Sequence, residues 1–214
     1  TVGKPLPETE VRLAEDGEVF VRGPTVMRGY WNKPDVTAES LQDGWFATGD
    51  VGRWNGEFLE IVDRKKHMQV LDTGKNVYSE PIEATLRRSD LVAEAMVVAE
   101  DRKYVSALIQ PNFDALLAEF GDLDVADGAI ETDGDETVAV PRELVDHPAV
   151  RERFEAEVAE ANRELADYET VGDFTLLERT LRIEEDELTP TLKKRRHNVI
   201  ENFADRIEAM YESA

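Results

Sequence analysis

Three groups of residues in this chain have types and spacing that suit a site for a sugar diol and for charged oxygens. Thr48-Gly49-Asp50 puts a carboxylate directly after a glycine. A turn carboxylate can accept from two neighbouring hydroxyls at once, which is what a ribose 2′,3′-diol requires. The glycine lets backbone approach a ligand closely. Alone, the same triplet reads first as an ordinary turn capped by Asp. Arg64 offers five fixed donors and a permanent charge, suited to a ribose or phosphate oxygen or simply to pairing with Asp63. Lys65 and Lys66 follow at once and suit either a hinge or a solvated surface. Lys193 opens Lys193-Lys194-Arg195-Arg196-His197, the dense basic cluster of the chain. An ammonium is a compact point charge, fitted to an oxyanion that develops during a reaction. The cluster is equally able to bind an anion or to pair with neighbouring acids.

Composition sets these cations apart. The chain has 214 residues, with 25 basic against 47 acidic side chains and a net charge of -22. Only eight are lysines, and five of those (Lys65, Lys66, Lys75, Lys193, Lys194) fall within 64–76 and 188–196. A chain that mostly avoids lysine places it there, which favours specific roles over a generic surface. Long-range repulsion argues against nucleic acid as a partner. The acids are spread along the chain among regularly recurring apolar residues, which reads as a folded protein with an acidic coat, like those of salt-adapted archaea. There is no Cys, hence no disulfide or thiolate metal site. No apolar run reaches the roughly 18 residues a membrane span needs. The N-terminal Thr1-Val2-Gly3-Lys4-Pro5 lacks the plan of a signal peptide and an initiator Met. The expectation is a cytoplasmic fragment or processed product with no integral membrane segment.

The elements that must hold these residues fall into two parts. Residues 1–65 read as a small β-rich unit. Glu18-Val19-Phe20-Val21-Arg22 alternates like a half-buried strand. Asn55-Gly56 between Val51-Gly52-Arg53-Trp54 and Glu57-Phe58-Leu59-Glu60-Ile61 is a hairpin signal. Residues 66–214 read as α+β, an antiparallel sheet flanked by helices. Met68-Gln69-Val70-Leu71 is a strand; Ser79 caps a helix with Pro81 in its first turn; residues 94–99 and 104–109 pair around Asp101-Arg102-Lys103. Residues 119–140 carry eight acids and no Lys or Arg, which reads as an exposed, mobile loop. It lacks the ligand order of a known calcium loop, and no metal ligands are assigned. Val150, Phe154, Val158, Ala161 and Leu165 form one helical stripe after His147-Pro148. A single last helix is expected to carry Ile200, Phe203, Ile207 and Met210 on one face.

Taken in order, Gly3-Lys4-Pro5-Leu6-Pro7, Gly29-Tyr30-Trp31, Gly44-Trp45-Phe46-Ala47-Thr48-Gly49-Asp50, Asp63-Arg64-Lys65-Lys66, Gly74-Lys75-Asn76-Val77, Pro81-Ile82-Glu83 and Thr189-Pro190-Thr191-Leu192-Lys193 resemble the acyl-adenylate-forming superfamily of AMP-binding enzymes. Gly74-Lys75-Asn76-Val77 and Leu188-Thr189-Pro190-Thr191-Leu192-Lys193 look most like long-chain fatty acid:CoA ligases, C-terminal portion only. The resemblance implies that Asp50 holds the ribose hydroxyls of ATP or AMP and that Arg64 contacts the nucleotide. It makes Lys66 the hinge of a mobile small domain. It puts Gly74 beside the CoA pantetheine tunnel and makes Lys193 the catalytic lysine of adenylation. Many members have Ser-Gly-Lys where this chain has Thr191-Leu192-Lys193, and with Lys194 adjacent the match could slip by one residue.

The implied reaction joins a fatty acid to CoA with ATP and Mg²⁺, through an acyl-adenylate. The family's phosphate loop, its Tyr-Gly-x-Thr-Glu segment and most of the acyl pocket are absent. The Mg²⁺ ligands are therefore expected mainly upstream, and the chain alone is expected to be inactive without a missing N-terminal AMP-binding portion. Peripheral membrane contact is compatible with a long acyl substrate. Two alternatives remain: an adenylate-forming enzyme that loads a carrier protein, and a non-catalytic binding remnant.

Overall fold

The computed structural model describes residues 1–123 and 130–212. They divide into two compact units, Thr1–Met68 and Gln69–Ala214; the sequence reading places the division after Lys65.

The first unit is a five-stranded antiparallel sheet. Its strands are β1 (Glu10–Leu13), β2 (Glu18–Arg22), β3 (Leu41–Gln42), β4 (Trp45–Asn55) and β5 (Phe58–Arg64), with helix α1 (Pro34–Ser40) before β3. The long β4 organises it. One edge pairs with β2; the other pairs first with β3, then with β5. The hairpin expected at Asn55-Gly56 closes with Asn55 opposite Phe58, so Asn55 ends the strand and Gly56-Glu57 form the loop. Gly56 takes φ 59, the positive-φ demand that makes glycine a hairpin residue. Gly52 serves a different need: a Cβ there would lie 2.8 Å from Val19 Cγ2 and 2.9 Å from the Glu60 carbonyl. The core is thin. Val19, Val51 and Leu59 are its buried apolar residues, whereas Trp31 is 90% exposed.

The second unit begins with a short pair, β6 (Met68–Val70) and β7 (Asn76–Tyr78), leading into α2 (Ser79–Leu86). Ser79 is the first helical residue rather than the cap, and its hydroxyl receives Gln69 Nε2 at 2.8 Å. Next come β8 (Val92–Val98), β9 (Val105–Pro111), α3 (Phe113–Phe120), β10 (Glu131–Asp133) and β11 (Glu136–Ala139). They are followed by α4 (Arg142–Val145), α5 (Pro148–Asn162), β12 (Val171–Leu176), α6 (Arg196–Asn202) and α7 (Ala204–Glu212).

β8 and β9 pair antiparallel as expected, and β12 adds to β9 in parallel, so the three-stranded sheet is mixed. Strand alternation splits its side chains between two cores. Ala95, Val97, Ala107 and Ile109 face α2, α3 and α5, where Ile82, Leu116, Phe154 and Val158 are buried. Met96, Val98 and Leu108 face the other side, under Val199, Phe203, Ile207 and Met210.

Two further expectations are corrected. The last helix is two helices, α6 and α7, which part at Phe203, where φ is -111. The Asn202 amide beside this break is tied to Glu185 O and Glu187 Oε1, both at 3.1 Å. Of the acidic stretch 119–140, residues 131–139 are an ordered hairpin rather than a loop. Its two ends reach the 178–182 segment: Val140 N, just after β11, donates to Glu178 O, and Glu131 at the start of β10 pairs with Arg182, each at 2.9 Å. Residues 124–129 lie outside the described residues. No helix of the described residues is long and apolar enough to cross a membrane.

Candidate functional site: two turns and a carboxylate–guanidinium pair

In the first unit Asp50 and Arg64 are register partners across β4 and β5. Arg64 Nε donates to Asp50 Oδ1 at 2.8 Å, with the two side chains 52% and 33% exposed. The second carboxylate oxygen receives no donor among the described residues and is available to hydroxyls. Several bonds set this pair. The Asp50 amide donates to Thr48 Oγ1 (3.1 Å), and that hydroxyl donates to Val19 O (2.8 Å). Gly49, at φ 70, gives its amide to Glu18 Oε1 at 3.2 Å. The Arg64 amide donates to the buried Asp63 at 2.6 Å.

Glu18 was not singled out from the sequence. It is 7% exposed, and its other oxygen takes Lys65 Nζ at 2.6 Å, while Asp16 takes the same ammonium at 2.7 Å. Asp16 and then Glu18 raise the Lys65 pKa, and Lys65 with the Glu18 amide lowers that of Asp16. Lys65 is therefore pinned. Lys66 is exposed in the 3-10 turn Lys65–His67, directly before the division between the units.

In the second unit Gly74 and Lys193 occupy turns of the same design. In 71–75, Gly74 N donates to Leu71 O (2.8 Å) and Leu71 N to Lys75 O (3.0 Å). In 189–193, Leu192 N donates to Thr189 O and Thr189 N to Lys193 O, both at 2.8 Å. The fourth residue is left-handed in each, Gly74 at φ 78 and Leu192 at φ 58. Thr189 Oγ1 also accepts from Lys193 N at 3.0 Å. A side chain at Gly74 would meet nothing within 4 Å, so that turn presents open backbone. Lys75 Nζ lies 5.4 Å from the Tyr168 ring centroid.

Beyond Leu192 the basic residues alternate. Lys193 and Arg195 are exposed, and Lys194 and Arg196 turn inward. Lys194 Nζ spends its three donors on Glu83 Oε2 (2.9 Å), Glu94 Oε1 (3.0 Å) and Ala95 O (2.8 Å). Arg196 reaches Glu83 Oε1 (2.6 Å) and Val97 O (2.8 Å), and Arg195 pairs with Asp186. The Lys193 ammonium has no ion pair among the described residues. This geometry resolves which lysine is the free one, because an ammonium with three occupied donors has nothing left for a ligand. Glu83 was missed as a site residue, although a signal existed. It shares a helical face with Ser79, Ile82 and Leu86, an acid on a buried stripe.

The fold and these motifs are similar to the C-terminal part of AMP-binding enzymes. Residues 66–131 match the model of the AMP-binding enzyme C-terminal domain. Over 99% of its length the chain is 36% identical to the long-chain-fatty-acid–CoA ligase FadD15 of Mycobacterium tuberculosis, covering 34% of that protein. Over 98% of its length it is 31% identical to human long-chain-fatty-acid–CoA ligase 1, covering 31%. The chain therefore spans about a third of the length of these curated relatives. Among solved structures, the A-PCP didomain of the Segniliparus rugosus carboxylic acid reductase, in complex with AMP, aligns over 97% of this chain and 28% of its own. Its TM-score is 0.72 at 25% identity.

Proposed function

We propose that this chain is the nucleotide-handling C-terminal part of an AMP-forming long-chain fatty acid:CoA ligase. The observation that carries the reading is the Asp50–Arg64 pair, which sits in the family's motifs with a carboxylate oxygen free for a ribose diol. Similarity to long-chain-fatty-acid–CoA ligases along 99% of the chain supports it.

In the first half-reaction a fatty acid carboxylate attacks the α-phosphate of ATP, and pyrophosphate leaves. Asp50 accepts from the ribose hydroxyls and Arg64 donates to the nucleotide. Lys193 offsets charge developing on the phosphoryl oxygens. Mg²⁺, when bound, would add charge neutralisation there; none of the residues assigned here would hold it, and its ligands are proposed to lie in an upstream AMP-binding portion. In the second, the CoA thiol attacks the acyl-adenylate and AMP leaves; the open backbone at Gly74 borders the pantetheine path. Rotation about Lys66 exchanges the two turns, as hinge closures do. Nothing in this scheme needs a membrane span, and a cytoplasmic location suits it.

The test is acid-dependent ATP–pyrophosphate exchange. The chain alone is expected to give none; joined to an upstream AMP-binding portion it is expected to exchange and then form acyl-CoA. Exchange by the chain alone would overturn the requirement for that portion. A second reading, transfer to a carrier-protein thiol, draws support from the similarity to a protein whose adenylation domain is followed by a carrier domain. Supplying CoA or a phosphopantetheinylated carrier to the joined protein separates the two.

A further inference from the structure

The segment Lys193-Lys194-Arg195-Arg196 is degenerate in register: shifted by one residue, it would still turn one lysine and one arginine inward. Residues 193–195 lead into α6, which Arg196 opens, and a one-residue slip in such an extended lead-in would exchange its two faces. Local hydrogen bonds around residues 189–193 favour the observed closure, but they hold Leu192 in a left-handed conformation that costs a branched side chain strain. Something stronger must hold the inward pair. Glu83 is the one carboxylate among the described residues bound to both inward cations. It is 1% exposed and uses one oxygen for Lys194 and the other for Arg196, while Oε1 also accepts from Val97 N at 2.9 Å.

The neighbours leave little slack. Glu94 of β8 shares Lys194 and binds Arg87 at 2.8 Å; Arg87 also binds Glu80, and stands 3.9 Å from Glu83. Lys194, Arg196 and Arg87 thus face Glu83, Glu94 and Glu80. Glu83, at the centre of these pairs, is buried, and removing one side of a buried pair is costly. We propose that Glu83 is a positioning residue that locks this register, so that Lys193 rather than Lys194 is presented as the free ammonium. The catalytic meaning of that choice rests on the reading of Lys193 as the adenylation lysine; the choice itself does not.

Competitive acetylation of the 214-residue chain with N-hydroxysuccinimide acetate, read residue by residue by mass spectrometry, tests it without any activity. Lys193 is expected to react roughly ten- to a hundredfold faster than Lys194, the protection that several charged hydrogen bonds confer. In Glu83→Gln, with an unchanged circular dichroism spectrum, the ratio is expected to fall to within about threefold. Glu94→Gln, which leaves both Glu83 contacts in place, is expected to keep most of it. Near-equal labelling of the two lysines in the folded parent chain overturns the proposal, even if Glu83→Gln fails to fold. So does an equal loss in Glu94→Gln, which would indicate generic acidity. If the ratios come out as expected but Lys193→Ala leaves adenylation intact in the joined protein, the register assignment stands and the adenylation reading falls.

Discussion

Turns 71–75 and 189–193 have one backbone and opposite contents. Both close with the same two hydrogen bonds, both put a left-handed residue fourth and both end on lysine. The first uses Gly74, with empty space where a side chain would be; the second uses Leu192, 69% exposed. A third copy at 14–18 uses Gly17 at φ 82, the residue this conformation favours. Leucine at 192 is therefore a local cost carried by something outside the turn. The continuation differs accordingly. Lys75 leads into a short strand and leans toward an aromatic ring, whereas Lys193 leads into an ion cluster buried against α2 and β8. The 71–75 turn stands on its own backbone chemistry, and the 189–193 turn is held in place by the anchoring of Lys194 and Arg196.

Removing the cluster is the strongest way to break that contrast. Glu83→Ala leaves Lys194 and Arg196 without their shared partner and is expected to cost about 3–5 kcal/mol in urea unfolding; a loss below about 1 kcal/mol would mean that the 189–193 turn supports itself. Next in size is the lysine pair. In the joined protein, Lys193→Ala is expected to slow pyrophosphate exchange by roughly 10²–10³-fold. Lys75→Ala, at the equivalent turn position, is expected to stay within about tenfold; equal losses would erase the functional difference between the turns.

The fourth positions should respond with opposite signs. Leu192→Gly is expected to raise the unfolding free energy by about 1 kcal/mol and Gly74→Ala to lower it by a similar amount, since both changes act through the left-handed backbone. The smallest effect is acid sensitivity. Burial alone would raise the pKa of Glu94, but Lys194, the Ala95 amide and Arg87 hold it below the ordinary 4.5. Burial likewise opposes the lowering of Glu187 by Arg179, the Arg182 amide and Asn202. A carboxylate lowered in the folded state adds stability that is fully present above its unfolded pKa and is lost as pH falls through the folded one. Urea midpoints should thus hold above pH 4.5 and decline below it, and Glu94→Gln should flatten the decline.

Features that depend on a few adjacent residues were legible. Asn55-Gly56 announced its hairpin because positive φ is a local demand, although the loop sits one residue further on. The α5 stripe from Val150 to Ala161 was readable because helical spacing is itself the signal. Long-range features were not. Nothing near Phe203 marks the break between α6 and α7 by a Gly or Pro. The parallel docking of β12 on β9 joins residues more than sixty positions apart. Glu18 is an ordinary strand residue until Lys65 and the Gly49 amide converge on it.

By itself the sequence nominated residues suited to chemistry and gave their order: Asp50, Arg64, Gly74 and Lys193, in motifs whose company gives each its proposed role. It also pointed to turns where a glycine meets the left-handed demand locally, as Gly56 and Gly74 do, but not to the one that places Leu192 there. Only the tertiary structure decided between Lys193 and Lys194. Two adjacent lysines have the same local propensities, and they differ only in what stands opposite. Glu83 lies 111 positions away from Lys194 and is brought to it by the packing of α2 against β8. Burial of that one carboxylate turns a repeated residue type into an inward anchor and an outward, unpaired ammonium.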